Sequence, residues 1–338
     1  MFLLVILFTV LPLLYVIYGL LGRKLTIGEI DKKAVLITGC GSGFGRDLVK
    51  RCLQNGLTVF AGCQFESNIS ELEKSYSSIS KGRLYAFQMD VTDDESVRKS
   101  REIVDNVLRE KNIVLHSVVN NAGIRGNQFY DDFLLLDDYK EVWEVNTYGA
   151  IRVTQAFRSL IKKSSGRIII CCSASTLFPA PTYGPYVSSK CALQAYANII
   201  RYELEPYGVI VVVLFPGTFQ TGLHVIQELH RMTDFLWNRS SQEIRNEYGN
   251  DFNVKAKAFA NEMLSKFLSK DTAKVIDAYY EAIVARRPKL SYRIGWDTSL
   301  IFYPYSFMPL RVQCHLMKFL MNWFGAPVRK QPVRKQET

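Results

Sequence analysis

Tyr186 and Lys190 stand four residues apart in a stretch of helical spacing, so both project from one helix face. A phenol with a pKa near ~10 is a poor base at neutral pH. An ammonium beside it stabilises the phenolate and makes the pair a proton-transferring unit. Ser173 lies thirteen residues before Tyr186, at the end of an apolar run. A hydroxyl can bond a substrate oxygen and stabilise charge developing on it. A Tyr-x-x-x-Lys match alone carries little, because ordinary composition produces about one by chance in a chain this long. Its weight comes from the order in which other features precede it.

The first of these is Thr38-Gly39-Cys40-Gly41-Ser42-Gly43-Phe44-Gly45, which follows directly on the β-rich run 33–38. Glycines at a strand-to-helix turn permit positive φ and let the backbone approach a pyrophosphate at the positive end of the helix. No Gly-Lys-Ser/Thr follows, which excludes a nucleotide-hydrolase loop. Asp90 then ends a third run, Asn120-Asn121-Ala122-Gly123 ends a fourth, and Asn146 sits in a helical stretch.

Positioning these residues requires a particular sheet. Runs 33–38, 57–61, 83–87, 115–119, 166–171 and 209–214 are continuously apolar and alternate with helical segments such as 94–109. That pattern predicts an α/β fold, a single Rossmann-like doubly wound parallel sheet buried on both faces. Ligands then bind at the carboxyl ends of the strands. The reading divides the chain into an anchor over 1–22, a catalytic domain over 30–296, and a hydrophobic tail helix with a basic C-terminus over 297–338.

In this order the motifs resemble the short-chain dehydrogenase/reductase family, whose signature is Thr-Gly-x-x-x-Gly-x-Gly, Asn-Asn-Ala-Gly, a Ser, and Tyr-x-x-x-Lys. The resemblance covers roughly 30–295 and is similar in detail to a branch containing retinol, 17β-hydroxysteroid and D-3-hydroxybutyrate dehydrogenases, on 38–45, 59–63, 201–204 and Pro216-Gly217 followed by Thr221. Cys171-Cys172 stands where relatives often carry Ile-Ser before the serine, but Ser173 is retained. The resemblance implies hydride transfer to or from a nicotinamide, with Ser173, Tyr186, Lys190 and Asn146 catalytic. Lys190 would also hold the nicotinamide ribose, and Asn146 a water linking Lys190 to solvent.

It further implies that Gly39, Ser42, Gly43, Phe44 and Gly45 take the pyrophosphate, Asp90 meets the adenine, and Asn120, Ala122 and Gly123 border the adenosine ribose. Pro216, Gly217 and Thr221 would reach the carboxamide or phosphate, although Asn120 equally suits a role between the central strands. An acid after the second strand would mark NAD, yet Gly62-Cys63-Gln64 supplies none. No Arg or Lys stands there for a 2′-phosphate either, so NAD is favoured over NADP. Arginine at Cys63 is the change expected to move the preference toward NADP.

Composition closes other routes. Apolar residues are 48% and charged residues 22%, which excludes disorder. Seven cysteines without Cys-x-x-Cys pairing and four histidines without clustering exclude a disulfide scaffold and predict no metal site. Half of the net charge of +10 lies beside hydrophobic ends, in Arg23, Lys24, Lys32, Lys33 and the repeated Pro-Val-Arg-Lys-Gln of 327–336. That favours an anionic membrane surface over nucleic acid.

The uncharged run Met1–Leu21 is long enough for a transmembrane signal anchor, and the following basic residues predict a cytosolic catalytic domain. The expected location is the endoplasmic reticulum membrane, in a single pass, with homo-oligomers possible. Asn68 and Asn238 match the glycosylation pattern without overturning that orientation. The segment 301–324 carries Arg311, His315 and Lys318, which argues against a second span. It reads equally as an interfacial helix or as a helix packed over a substrate pocket.

Three functions compete. One is a dehydrogenase of a lipophilic alcohol such as a retinoid or steroid. Another is a dehydrogenase of a small 3-hydroxy acid, using Arg125 or His224 for the carboxylate. The third is a nucleotide-binding regulatory protein without catalysis, which retention of Tyr186 and Lys190 disfavours.

Overall fold

The structure is a computed structural model that describes Val10, Leu13, Leu14, Gly22, and residues 25–220 and 226–327. The remainder of the apolar run, Thr221 and His224, and the basic C-terminus from 328 lie outside the described residues.

The expected strands form β1 (Lys33–Thr38), β2 (Thr58–Cys63), β3 (Leu84–Gln88), β4 (Val114–Asn120), β5 (Arg167–Cys171) and β6 (Ile210–Pro216). A seventh strand, β7 (Ser291–Ile294), completes a sheet ordered 3-2-1-4-5-6-7, and every pairing is parallel. β7 escapes a search for apolar runs because it is a four-residue edge strand with only Tyr292 and Ile294 buried.

Period-two alternation divides the core between the two sheet faces. Val35, Ile37, Val59 and Val212 join α1 (Gly43–Gln54), α2 (Glu66–Ser80) and α10 (Ala273–Val284) in one cluster. Ala34, Leu36, Phe60 and Val211 face α3 (Asp94–Lys111), α5 (Ala150–Lys163) and α6 (Gly184–Leu204) in the other. Local signals set the helix ends. Asp93 caps α3 by accepting from the Glu95 and Ser96 amides at 3.2 and 3.0 Å, and Asn112 ends it in the left-handed region.

Between β4 and α5, α4 (Leu136–Trp143) passes through a π-helical turn, Glu144–Gly149. α7 (Ile226–Arg239), α8 (Gln242–Tyr248) and α9 (Phe252–Phe267) rise over the carboxyl edge of the sheet. Trp237, Tyr248 and Phe252 pack there on Phe129 and Phe133 of the loop after β4, forming a third cluster. Arg239 ties α7 to α4 through Asp138 at 2.5 Å.

α11 (Leu310–Trp323) lies beside this assembly. Phe324 meets Phe267 edge-on at 6.0 Å, and Phe302 stacks on Phe178 at 4.8 Å. No helix among the described residues is long and apolar enough to cross a membrane.

Candidate active site

A cavity of about 1190 Å³ opens at the carboxyl edge, running from the glycine loop past Ser173, Tyr186 and Lys190 to the tail. Ser42 stands at the N-cap of α1, its side chain makes no cap hydrogen bond, and the first turn of the helix carries no acid. The amides there are left for an anion. Gly39 has φ +69°, and a Cβ on it would lie 2.9 Å from the Ala122 Cα. A Cβ on Gly45 would collide with the Gly39 carbonyl oxygen. Ser42, Gly43, Phe44, Ala122 and Gly123 line the cavity, while Gly45 is buried beneath the loop.

The paired asparagines separate. Asn120 is buried and donates to the Thr154 hydroxyl at 2.9 Å, while its side-chain oxygen has no partner. It joins β4 to α5 and is not among the residues lining the cavity. Asn121 faces the cleft and donates to the Thr38 and Gly39 carbonyls at 3.0 and 3.3 Å. Its oxygen accepts from Tyr279 of α10 at 3.1 Å. The Thr38 hydroxyl accepts the Asn121 and Ala122 amides at 3.1 and 3.0 Å. Strand alternation contained this signal, since adjacent residues at a strand end face opposite sides.

Asp90 lines the far end, where its Oδ1 accepts the Thr92 amide and hydroxyl at 2.9 and 2.7 Å. Burial pushes that carboxyl up, but the bonds from Thr92 and Gln64 and the Arg152 charge outweigh it and hold the carboxyl below its ordinary range. Gln64, Phe65 and Asn68 complete this end, all neutral. Cys63 is wholly buried in the core, so Gln64 is the position from which an introduced cation would face the cleft. Arg46 is spent on Glu71 and Ser75 at 2.6 and 3.0 Å.

At the other end, α6 presents Tyr186 and Lys190 as the spacing requires, with the Lys190 Nζ 5.9 Å from the Tyr186 ring centroid. Lys190 is 3% exposed and donates to the Cys171 carbonyl at 2.9 Å. Burial pushes the Tyr186 phenol up, while Lys190, Ser173 and Arg125 pull against that rise. Ser173 caps the short turn after β5, and its Oγ accepts from the Ser175 amide and hydroxyl at 3.2 and 2.9 Å.

Asn146 sits in the π-turn, fully buried, accepting the Ile124 amide at 2.8 Å. It donates to the Ile124 carbonyl and the Ser189 hydroxyl at 2.9 and 3.0 Å. A Cβ on Gly123 would lie 3.1 and 3.3 Å from Asn146 Oδ1 and Lys190 Nζ. The cavity therefore brings Ser173, Tyr186 and Lys190 together, with Asn146 directly behind. Thr221 lies outside the described residues.

Pro216 and Gly217 line the cavity, held by a residue the motifs did not indicate. Asp297 is buried and accepts the Thr218 and Thr298 amides at 2.9 and 2.8 Å. No group of His, Cys, Asp or Glu suited to a metal occurs among the described residues. The open amides at α1, the close backbone approach at Gly39 and the acceptor at Asp90 fit a dinucleotide.

Comparison with known proteins agrees with this geometry. The short chain dehydrogenase profile matches residues 33–230. The chain is 36% identical over 309 residues to 3beta-hydroxysteroid dehydrogenase dhs-16 of Caenorhabditis elegans, covering 90% of this chain and 80% of that protein. To the mitochondrial D-beta-hydroxybutyrate dehydrogenase of Bos taurus it is 34% identical, covering 80% of each. To retinol dehydrogenase 16 of Homo sapiens it is 31% identical, covering 92% and 94%. A short chain dehydrogenase/reductase from Burkholderia phymatum in complex with NAD superposes with TM-score 0.65, covering 91% of this chain and all of that one. At 19% identity the likeness is one of fold.

Proposed function

The chain belongs to the short-chain dehydrogenase family and is an oxidoreductase of alcohols and carbonyls with a nicotinamide cofactor, and from that premise we propose that its substrate is a lipophilic alcohol of retinoid or steroid type. The observation that carries this is the wall of the cavity beyond Tyr186. Phe129, Leu229, Phe259, Met263, Phe302 and Met317 line it, an apolar wall suited to an apolar molecule.

In oxidation, Tyr186, held as the phenolate by the Lys190 charge, takes the alcohol proton at Oη and becomes the neutral phenol, while the Ser173 hydroxyl bonds the substrate oxygen as it becomes a carbonyl. A nicotinamide, when bound, would supply the hydride acceptor. Asn146 of the π-turn lies close to Lys190 across Gly123, where a water would link Lys190 to solvent and carry the proton away.

NAD is the preferred cofactor. The lining cations among the described residues are Arg125 and Lys190, neither of which lies on the adenosine side with Gln64 and Asn68. A 2′-phosphate would therefore be desolvated without a counter-charge. The enzyme is held to the endoplasmic reticulum by Met1–Leu21, with its catalytic domain in the cytosol. The position of Asn68 supports that side, because a glycan there would fill the dinucleotide cleft.

A small 3-hydroxy acid is the second reading. Arg125 lines the cavity and acts on Tyr186, although it also rests on the Tyr183 ring at 5.5 Å. Assaying retinol, hydroxysteroids and 3-hydroxybutyrate with NAD and with NADP, by absorbance of the reduced cofactor, tests both readings. Turnover of 3-hydroxybutyrate alone would reverse their order.

A further inference from the structure

The apolar half of the cavity contains few polar side chains, and two of them are satisfied within the protein. Tyr130 donates to the Pro327 carbonyl at 2.8 Å, and Thr233 to the Leu229 carbonyl at 2.8 Å. Gln128 is different. It lines the same cavity at 5% exposure, and its side-chain nitrogen has no hydrogen-bond partner. Its backbone amide points to the Met232 sulfur at 3.2 Å, which seats the residue between the loop after β4 and α7.

A buried amide left unpaired is costly, whereas a leucine of similar shape would carry no such cost. The carboxamide has both a donor and an acceptor end, and a half-turn about its terminal bond exchanges them. We propose that Gln128 is a specificity-determining residue that hydrogen-bonds a second, neutral oxygen of the substrate, distinct from the oxygen that reacts. The substrate would then be a lipophilic alcohol with a ketone or hydroxyl elsewhere on its skeleton. This rests on the lipophilic-alcohol reading and narrows it. Sites built to bond a polar group discriminate against analogues lacking it, because the site's own group is then stranded.

The test uses the full-length enzyme with NAD and two hydroxysteroids, one bearing a ketone at the far end of its rings and one a methylene there. Turnover is measured beside binding, the latter by quenching of protein fluorescence. Wild type should favour the ketone about tenfold or more in kcat/KM, and Gln128→Leu should abolish that preference chiefly by losing the ketone substrate. Tm should hold or rise in Gln128→Leu, whereas a purely structural role would lower it and depress both steroids alike. Gln128→Met, which also fills the space without an amide, should behave as Leu does. Turnover without preference, or a preference that survives both variants, would overturn the contact and leave the substrate class standing. A binding preference lost in the variants, with no turnover, would keep the contact and overturn the activity. Retinol turnover with neither steroid bound would overturn the contact alone, and no binding or turnover of any of them would overturn both.

Discussion

Chemistry at Tyr186 is set by two opposed effects, burial raising its pKa and the Lys190 charge lowering it. Tyr186→Phe keeps the ring and removes the oxygen that moves the proton. Its kcat should fall by ~10²-fold or more with cofactor affinity little changed, as steady-state rates and NADH titration would show. In the proposed mechanism the phenolate is the base, so its population grows with pH. Alcohol oxidation should rise with pH above neutrality while carbonyl reduction falls. Removing the cation in Lys190→Met should move that limb to higher pH, and an unmoved profile would separate Lys190 from the proton transfer. The asparagines should divide in the same way. Asn120→Ala should cost stability, about 1–2 kcal/mol in denaturant unfolding, because it removes a buried bond to Thr154. Asn121→Ala should instead weaken cofactor binding, by loosening the glycine loop.

Among the elements, α10 carries a charge arrangement that no motif announced. Its last carbonyls are bound by Arg167 at the start of β5, through Ala282 and Ile283 at 2.6 Å each and also through Ala285. Beside it, His116 of β4 contacts the Ile283 carbonyl at 3.2 Å. Burial first, and then the Arg167 charge, lower the His116 pKa to about 4. The native imidazole therefore stays neutral where the unfolded chain takes up a proton. Stability from this group is complete above the unfolded pKa near ~6.5 and is lost as pH falls toward about 4, by an amount on the order of 3 kcal/mol. Unfolding midpoints of wild type and His116→Gln across that range should converge on acidification, and parallel curves would refute the assignment.

For the whole molecule, the decisive feature is that one cavity joins the glycine loop, Ser173, Tyr186 and Lys190, and the tail. Met317, Leu320 and Met321 of α11 turn into the cavity, while Leu310 and Trp323 are 74% and 72% exposed. One helix thus covers the pocket and offers an apolar outer face, so the two readings of segment 301–324 are compatible in one element. Carbonate extraction should leave the full-length protein in the pellet. Deleting residues 1–24 should leave a weaker attachment that salt reduces, because a surface held by basic residues is screened and an inserted helix is not. Full release of the intact protein by carbonate would remove the anchor. Protease protection or a glycosidase shift in intact microsomes would reverse its orientation.

What was legible in the sequence is what depends on near neighbours. Continuous apolar runs between helical spacings gave the parallel sheet, glycines at a strand end gave the tight turn into α1, and a separation of four residues put Tyr186 and Lys190 on one helix face. What only the tertiary structure decided depends on approach from afar. Asp297 reaches Thr218 across 79 residues and Tyr279 reaches Asn121 across 158, and neither partner lies in a pattern that names the other. The direction of Asn120, the burial of Cys63, the unpaired amide of Gln128 and the place of the tail belong with these. Each is fixed by which surfaces close on one another, because burial and hydrogen bonding are satisfied in three dimensions and leave no period along the chain.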